Sequence, residues 1–143
     1  MLRFKFDHDP QTQADAHFLR QMIFVEEQGI PSAWEFDELD SPERLFLVGY
    51  LENQPVACAR FLLEEPQQLR PDRVCVAQTF RGQGIGLKLM ARLEQEGRMQ
   101  KCTQAVLHAE ETATGFYEKI GYHIVGVPFL EDGILCVRME KTL

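Results

Sequence analysis

Residues 72–96 read DRVCVAQTFRGQGIGLKLMARLEQE, and this is the stretch that decides the fold. Its beginning, 73–77, is a short apolar run rich in β-branched residues and predicts a buried strand. Three glycines follow within residues 82–86, after which apolar residues recur at helical spacing until Gly97, which we expect to close the helix. A strand that turns through glycines into a helix exposes backbone N–H groups at the positive end of the helix dipole. We therefore predict an anion site suited to phosphate.

The spacing of the glycines excludes two common nucleotide-binding loops. A Walker A loop requires Gly-Lys-Ser/Thr five residues after its first glycine, but residues 87–89 read Leu-Lys-Leu and residues 89–91 read Leu-Met-Ala. The dinucleotide fingerprint requires a third glycine at the same distance, and leucine stands there whichever glycine is counted first. What remains is a different phosphate ligand or a glycine-rich turn without a ligand.

Length and composition predict a single domain over residues 1–143. Hydrophobic residues make up 45% of the chain and charged residues 26%, as in an ordinary globular protein. The formal net charge of −7 argues against partners such as nucleic acid or an anionic membrane, because nonspecific binding to both needs a positive face.

The sequence also predicts the compartment. No apolar run approaches the roughly 20 residues that span a bilayer, and the N-terminus lacks the apolar core of a signal peptide. We therefore expect a cytoplasmic protein. Its cysteines form no C-x-x-C pair, so we expect buried reduced thiols and no metal site. They are Cys58, Cys75, Cys102 and Cys136.

Apolar periodicity predicts the remaining elements. The helices are expected at 12–28 and 113–120, and the strands at 2–6, 45–51, 55–63, 104–109, 122–127 and 134–141. Residues 64–68 are polar and predict a loop. The strand at 104–109 should run parallel to the one that ends at Val76, because a crossover helix joins them.

Two motifs carry a resemblance to a known family. Arg-Gly-x-Gly-Ile-Gly at 81–86, directly after a strand, resembles the pyrophosphate-binding segment of the GNAT-type N-acetyltransferase superfamily. Residues 113–122 read ATGFYEKIGY and match the family pattern A-x-x-F-Y-x-x-x-G-[FY] at every specified position. The resemblance implies an α+β GNAT fold, with a mixed sheet of about six to seven strands flanked by helices. It also implies that the sheet splays between the strands ending near Val76 and Ala109.

The resemblance narrows further to a small uncharacterised bacterial subgroup called YjcF-like. It rests on Phe-Val-Glu-Glu-Gln at 24–28, on Phe-Leu-Glu-Asp-Gly-Ile at 129–134, and on Pro31, Asp37 and Asp40. Members of the subgroup often carry a histidine after the second segment, but Cys136 stands near that place in this chain.

The resemblance implies acetyl-CoA as the cofactor. The expected contacts are the strand edge, which would pair with pantetheine amides, the glycine loop with the start of its helix, and one aromatic side chain. These residues are Val74, Cys75, Val76, Arg81, Gly82, Gln83, Gly84, Ile85, Gly86, Leu87, Lys88 and Phe116. We expect Arg73, Arg81, Lys88 and the helix N-terminus to supply a local positive pocket despite the negative net charge.

Acetyl transfer to an amine needs a polarised thioester carbonyl, a proton for the departing thiolate and a neutral amine. The backbone N–H of Val76, or of its neighbour Ala77, is the candidate donor to the oxyanion. The resemblance implies that Tyr117 protonates the thiolate. The general base is open between Glu26 or Glu27, acting directly or through water, Asp37, His108, and no base at all.

The acidic segment 26–40 is the candidate acceptor site, because carboxylates beside aromatic rings can hold a cationic amine. Glu27, Trp34 and Asp37 are its predicted substrate contacts. A solvated acidic loop would have the same composition.

We therefore expect an acetyl-CoA-dependent enzyme that transfers an acetyl group to a primary amine of a small molecule, by direct attack in a ternary complex. One alternative is transfer to a protein or peptide amine. The other is a noncatalytic acyl-CoA-binding module. The family resemblance also allows a homodimer.

Overall fold

The computed structural model describes residues 1–64 and 66–143, so Glu65 of the predicted polar loop lies outside the described residues. The strands are β1 (Leu2–Asp7), β2 (Phe46–Leu51), β3 (Gln54–Glu64), β4 (Gln68–Val76), β5 (Gln104–Glu110), β6 (His123–Glu131) and β7 (Ile134–Thr142). The helices are α1 (Pro10–Arg20), a π-helix (Gln21–Glu27), α2 (Ser32–Glu35), α3 (Ile85–Met99) and α4 (Thr114–Lys119), with single 3₁₀ turns at Gln78–Phe80 and Glu111–Ala113.

The strands form one mixed sheet of seven, in the order β1-β2-β3-β4-β5-β7-β6. β4 and β5 run parallel, with Gln68 opposite Gln104 and Leu69 opposite Ala105, as the crossover helix predicts. β5 and β7 pair antiparallel, as do β6 and β7. The prediction of an α+β fold with a mixed sheet of six to seven strands is confirmed.

The chain divides into two compact units. The first comprises residues 1–61 and 73–93. Its core joins one face of α1 and the π-helix to β2 and to two buried cysteines. The members are Ala16, Leu19, Ile23, Phe46, Val48, Tyr50, Cys58, Cys75 and Ala77. Because Ala16, Leu19 and Ile23 are spaced by three and four residues, they lie on one helical face, which explains why this face is buried.

The second unit comprises residues 62–72 and 94–143. Its buried side chains occur in consecutive runs at 105–107 on β5 and 136–137 on β7, so side chains on both faces of these two strands are buried. They include Leu69, Ala105, Leu107, Ala109, Val137 and Met139. All four cysteines of the chain are buried and free, as predicted.

We expected Gly97 to close α3, but Gly97 lies inside the helix. A Cβ built on Gly97 would lie 3.0 Å from Leu69 Cδ2, so the glycine lets the helix pass close to the buried leucine side chain. Close packing, and not a helix end, is the physical reason for a glycine at this position.

The helix expected at 12–28 is two helices. α1 ends at Arg20 and continues as the π-helix, which ends before Gly29 at a φ of +77°. The short helix α2 was not predicted, because its four residues are too few to show a period.

β4 and β6 are longer than predicted. β4 begins at Gln68, where Arg70 and Pro71 obscure the strand pattern, although Leu69 is fully buried. β6 continues to Glu131 across an irregularity in its register between Val125 and Phe129, and this irregularity interrupts the alternation that sequence analysis detects.

Candidate active site

The glycine loop has the conformation that its composition predicts. Gly82 and Gly84 adopt left-handed φ angles of +79° and +78°, which glycine tolerates better than other residues. α3 begins at Ile85, and the N–H of Lys88 donates to the carbonyl of Gly84 at 3.2 Å. Helix geometry therefore leaves the N–H groups of residues 85–87 without an acceptor inside the helix, and these groups can receive an anion.

The side chains at the glycine loop and the first turn of α3 differ in exposure. Ile85 is buried and anchors the first turn of α3. Gln83, Leu87 and Lys88 are exposed, so Lys88 can add a positive charge at the same helix end.

Arg81, the residue before Gly82, binds the carboxylate of Glu27 and the backbone carbonyl of Val76. Its Nη1 and Nη2 donate to the two carboxylate oxygens of Glu27 at 2.7 and 2.9 Å. Its Nε donates to the backbone carbonyl of Val76 at 2.9 Å. The hydrogen bonds from Arg81 outweigh the effect of burial and lower the pKa of the Glu27 carboxyl.

The backbone hydrogen bonds at the end of β4 distinguish the two candidate donors to the oxyanion. The N–H of Ala77 donates to the carbonyl of Val56 at 2.8 Å, so it is committed within the fold. Of the two expected donors, the N–H of Val76 is the one we retain. Val74 and Val76 are partly buried on the strand that precedes the glycine loop.

Cys75 is a structural thiol. Its Sγ lies 3.5 Å from Sγ of Cys58, and both side chains are buried. Hydrogen bonding to Cys58 and burial raise the pKa of the Cys75 thiol, which keeps it protonated and poorly nucleophilic.

The acidic segment of residues 26–40 is largely neutralised by arginines. The side chain of Arg20, which is 0% exposed, contacts Glu35 at 2.8 Å and Asp40 at 2.6 Å. Arg60 contacts Asp37 at 2.7 Å and Asp40 at 3.0 Å. The carboxylates therefore belong to a buried ion network, and sequence reasoning missed it because its arginines are far away along the chain.

Arg73 extends this network to β4. Its guanidinium contacts the carboxylates of Glu35 at 3.1 Å and Asp37 at 3.4 Å. Its backbone has a φ of +48°, a left-handed conformation that is costly for a residue with a side chain. The network thus holds a strained residue directly before 74–76.

These contacts change the expected charge balance of the pocket. Arg73 and Arg81 both face carboxylates, so their charges are largely compensated. The expectation that Arg73, Arg81 and Lys88 together supply a positive pocket stays a prediction, in which the charges of the two arginines are partly compensated. Lys88, at the start of α3, is exposed.

The other predicted acceptor-site residues differ in exposure. The indole of Trp34 is 53% exposed, and its backbone carbonyl accepts from Arg73 at 3.4 Å. Glu26 is exposed, and its carboxylate accepts from the side-chain amide of Gln21 at 3.5 Å. Asp37 and Glu27 are both bound to guanidinium groups, so an amine would have to share their oxygens.

Phe116 and Tyr117 lie on α4, in the second unit. Their rings meet edge to face with centroids 5.0 Å apart, and Tyr117 also meets Tyr122 at 5.8 Å. The hydroxyl of Tyr122 donates to the buried carboxylate of Glu94 at 2.8 Å, and Lys141 donates to the other oxygen at 2.7 Å. The last tyrosine of the family pattern therefore anchors the chain after α4.

His108 lies on β5, also in the second unit. Its Nδ1 is 3.0 Å from the carboxylate of Glu131, and its ring meets that of Phe129 edge to face at 4.9 Å. When Nδ1 donates to the carboxylate, the proton-accepting lone pair is at Nε2. Sequence analysis did not single out Glu131, because the pairing of β6 with β7 that brings it near His108 is a tertiary contact.

Cys136 lies on β7, where the subgroup often has histidine. Burial, with the nearby Glu131 and Glu110, raises the pKa of the thiol to about 11. The thiol is therefore protonated at neutral pH and cannot replace a histidine as a base.

Among the described residues, no helix combines the length and apolar character that crossing a bilayer requires. This finding concerns the helices alone.

Comparison with known proteins identifies the family. Residues 15–143 match the family described as the acetyltransferase (GNAT) domain. YyaT of Bacillus subtilis (strain 168), an uncharacterized protein, is 35% identical over 137 residues, which cover 92% of this chain and 92% of YyaT.

Two solved structures share the whole fold. The crystal structure of a candidate N-acetyltransferase from Lactobacillus plantarum has a TM-score of 0.96 at 34% identity, covering 99% of this chain and 98% of that one. That of an acyl-CoA N-acyltransferase from Pseudomonas aeruginosa has a TM-score of 0.86 at 29% identity, covering 99% of both chains. None of these relatives singles out the YjcF-like subgroup. The family match over nearly the whole chain shows that it belongs to the GNAT acetyltransferases, which use acyl-CoA as the donor.

Proposed function

We propose that this GNAT acetyltransferase moves the acetyl group of acetyl-CoA to a primary amine of a small molecule, by direct attack in a ternary complex. The observation that carries the proposal is the glycine loop, in which left-handed Gly82 and Gly84 lead into the free N–H groups at the start of α3. This arrangement fits the pyrophosphate of coenzyme A.

In the proposed complex, the loop 81–86 and the first turn of α3 hold the pyrophosphate, with Lys88 adding charge. The edge 74–76 of β4 pairs with the pantetheine amides as a further strand would. Phe116 contributes an apolar surface for the coenzyme.

The proposed reaction forms a C–N bond and breaks the C–S bond of the thioester. The amine nitrogen attacks the carbonyl carbon, and the N–H of Val76 donates to the developing oxyanion. The amine proton passes to Glu26, Glu27, Asp37, His108 or water. Tyr117 donates its hydroxyl proton to the coenzyme A thiolate as the intermediate collapses.

We propose that the acceptor amine binds near Trp34, Glu27 and Asp37. The exposure of Trp34 supports this, because an indole face can contact a cation while nearby carboxylates compensate its charge. The arginine contacts of Glu27 and Asp37 favour a singly charged amine over a polyamine.

The test is release of free thiol from acetyl-CoA by the purified protein with a panel of small amines and basic peptides. We expect turnover with small amines, and we expect Tyr117→Phe to lower kcat by roughly 10²–10⁴ while acetyl-CoA binding is kept. Preference for peptides would indicate a protein acetyltransferase. Binding without turnover on any amine, unchanged in Tyr117→Phe, would indicate a binding module and contradict the proposal.

We further propose a homodimer through β6. This strand is at the end of the sheet order, and apolar residues along it are exposed, with Val127 at 80%. Open, apolar strand edges pair readily with another chain. The sequence His-Ile-Val-Gly-Val-Pro-Phe-Leu-Glu is self-complementary about Val127, because antiparallel pairing with a second copy sets Ile124 against Leu130 and His123 against Glu131.

The dimer is tested by light scattering after size exclusion. We expect a dimer for the wild type and a monomer for Val127→Lys, in which two lysines would meet at the symmetry axis. Leu63→Lys changes an exposed leucine on β3 in the same way and should stay dimeric. A monomeric wild type, or a dimeric Val127→Lys, would contradict this interface.

The cytoplasmic location and the YjcF-like subgroup remain predictions from the sequence.

A further inference from the structure

Arg81 connects separate parts of the first unit. Its guanidinium binds Glu27, the last residue of the π-helix, through two hydrogen bonds of 2.7 and 2.9 Å. The same group binds the carbonyl of Val76, the last residue of β4, at 2.9 Å. Because Arg81 directly precedes Gly82, one side chain fixes the start of the glycine loop against two other elements.

The charge and donors of Arg81 are largely used within the protein. Three of the five N–H donors of its guanidinium make these bonds, and the paired carboxylate compensates its positive charge. A forked pair of this kind requires the planar guanidinium, which an ammonium group cannot replace. An arginine binds phosphate more strongly through its charge when no carboxylate compensates that charge.

The glycine loop needs such an anchor. Gly82 and Gly84 have no side chains, and a Cβ built on either would meet no atom within 4 Å beyond its chain neighbours, so the place of a side chain is open space at both positions. Glycine also loses more conformational freedom than other residues when it is ordered. The helix fixes the loop on one side, through the bond from Lys88 to Gly84, and Arg81 fixes it on the other.

The position of Glu27 depends on the π-helix. Residues 21–27 form wider turns than an α-helix, which change the direction in which the last side chain leaves the helix. π-helical turns are rare and are frequently found at functional sites. Here the π-helix ends on the carboxylate that binds Arg81.

We propose that Glu27 is a positioning residue that acts through Arg81, and that Arg81 is a clamp for the glycine loop and not a charged ligand of the phosphates. The pyrophosphate is then bound by the backbone N–H groups of the loop and by Lys88. This inference rests on the proposed function, because it assumes that coenzyme A binds at the loop. It replaces our expectation that Arg81 contacts the pyrophosphate directly.

The first experiment is calorimetric titration with coenzyme A and, separately, with pantetheine, which lacks the pyrophosphate. Glu27→Gln removes the carboxylate charge, Arg81→Lys keeps the positive charge without the fork, and Arg81→Met removes both. Glu64→Gln is the matched control, because Glu64 forms an exposed pair with Arg70 at 2.9 Å and belongs to the second unit.

We expect Glu27→Gln and Arg81→Lys each to weaken coenzyme A binding by roughly tenfold, which is the effect of losing one charge-assisted fork. Arg81→Met should be no worse than Arg81→Lys, and the double variant Glu27→Gln/Arg81→Lys should be no worse than either single variant. Pantetheine binding, and the control Glu64→Gln with either ligand, should stay unchanged.

Three results would overturn the inference. If Arg81→Lys binds like the wild type while Arg81→Met does not, Arg81 acts through its charge. If Glu27→Gln binds coenzyme A normally but lowers kcat equally with acetyl-CoA and S-acetylpantetheine, Glu27 is the base. If Glu27→Gln changes neither coenzyme A binding nor kcat, Glu27 does not position Arg81 for coenzyme A binding. A wild type that does not bind coenzyme A would instead contradict the proposed function itself.

Discussion

Arg20 Nε and Glu35 Oε2 lie 2.8 Å apart, and both side chains are almost fully shielded from solvent. Glu35 uses the same oxygen to bind Arg73 at 3.1 Å. One buried carboxylate therefore connects α1 to the strained residue of β4, through the short helix α2. The network gives the predicted acidic loop a structural role in addition to any role in binding the amine.

We predict that Glu35→Gln lowers the free energy of unfolding by about 3–5 kcal/mol, because breaking one partner out of a buried ion pair leaves uncompensated buried charge. The measurement is urea unfolding at pH 7. Glu38→Gln is the control, since Glu38 is exposed in the same segment and its change should be within about 0.5 kcal/mol. Equal stability of the two variants would mean that the network does not hold this segment.

Asp40 should make the free energy of unfolding depend on pH. Burial alone would raise its pKa, but the hydrogen bond and charge of Arg20 outweigh burial and hold the pKa of Asp40 at about 2. Its folded pKa is thus below the unfolded value of about 3.9, so its contribution is present above pH 4 and is lost as the pH falls towards 2.

The variant Asp40→Asn should be less stable than the wild type at pH 7. The difference in unfolding free energy should shrink between about pH 4 and pH 2, because the wild-type aspartate becomes protonated there. Chemical unfolding at several pH values measures this. A constant difference over that range would show that the carboxylate is not the source of the stability.

Gly97→Ala should destabilise the protein despite the higher helix propensity of alanine. The propensity gain is about 1 kcal/mol, whereas forcing a methyl group into a packed core costs about 1–3 kcal/mol. The new Cβ would meet the fully buried side chain of Leu69 at 3.0 Å. Thermal unfolding measures the net effect.

Gly115→Ala is the control for this prediction, because a Cβ on Gly115 of α4 would meet nothing within 4 Å. We expect its melting temperature to stay level or rise. If Gly97→Ala behaves in the same way, Leu69 can move aside and the packing argument fails.

The pair of His108 and Glu131 offers a test of the general base. If the imidazole takes the amine proton, His108→Gln should lower kcat by roughly 10²-fold, in the range of general base catalysis. Glu131→Gln should lower kcat by a smaller factor, because it only orients the ring. The KM for acetyl-CoA should not change in either variant.

Steady-state kinetics with a saturating amine measures these effects, and Glu52→Gln in the exposed β2–β3 turn serves as the control. Full activity of His108→Gln would remove His108 from the candidates for the base. Glu26, Glu27, Asp37 or water would then remain.

Local patterns predicted most of the fold. The strand at 73–77 and the glycines at 82–86 lie next to each other in sequence, so their turn into α3 needs no distant contact. The type and order of the longer elements follow from apolar period in the same way. The π-helix and α2 were missed because each is too short, or too irregular, to show a period.

Contacts between residues that are far apart along the chain could not be predicted from the sequence. Arg20 and Asp40, or Glu27 and Arg81, are brought together by the tertiary fold, so their carboxylates looked free in the sequence. For the same reason Gly97 looked like a helix end, since its contact with Leu69 depends on how α3 crosses β4.

The central claim is that the glycine loop binds the pyrophosphate of acetyl-CoA, and calorimetric titration of Gly84→Ala beside the wild type tests it most directly. Gly84 has a φ of +78°, and alanine there costs about 1–2 kcal/mol of backbone strain or shifts the loop. Gly133→Ala is the control, because Gly133 has a φ of +77° in the β6–β7 turn. We predict that the wild type and Gly133→Ala bind acetyl-CoA equally and that Gly84→Ala binds at least about tenfold more weakly, the factor that corresponds to 1.4 kcal/mol. No binding by the wild type at millimolar acetyl-CoA, or equal binding by all three proteins, would contradict the claim.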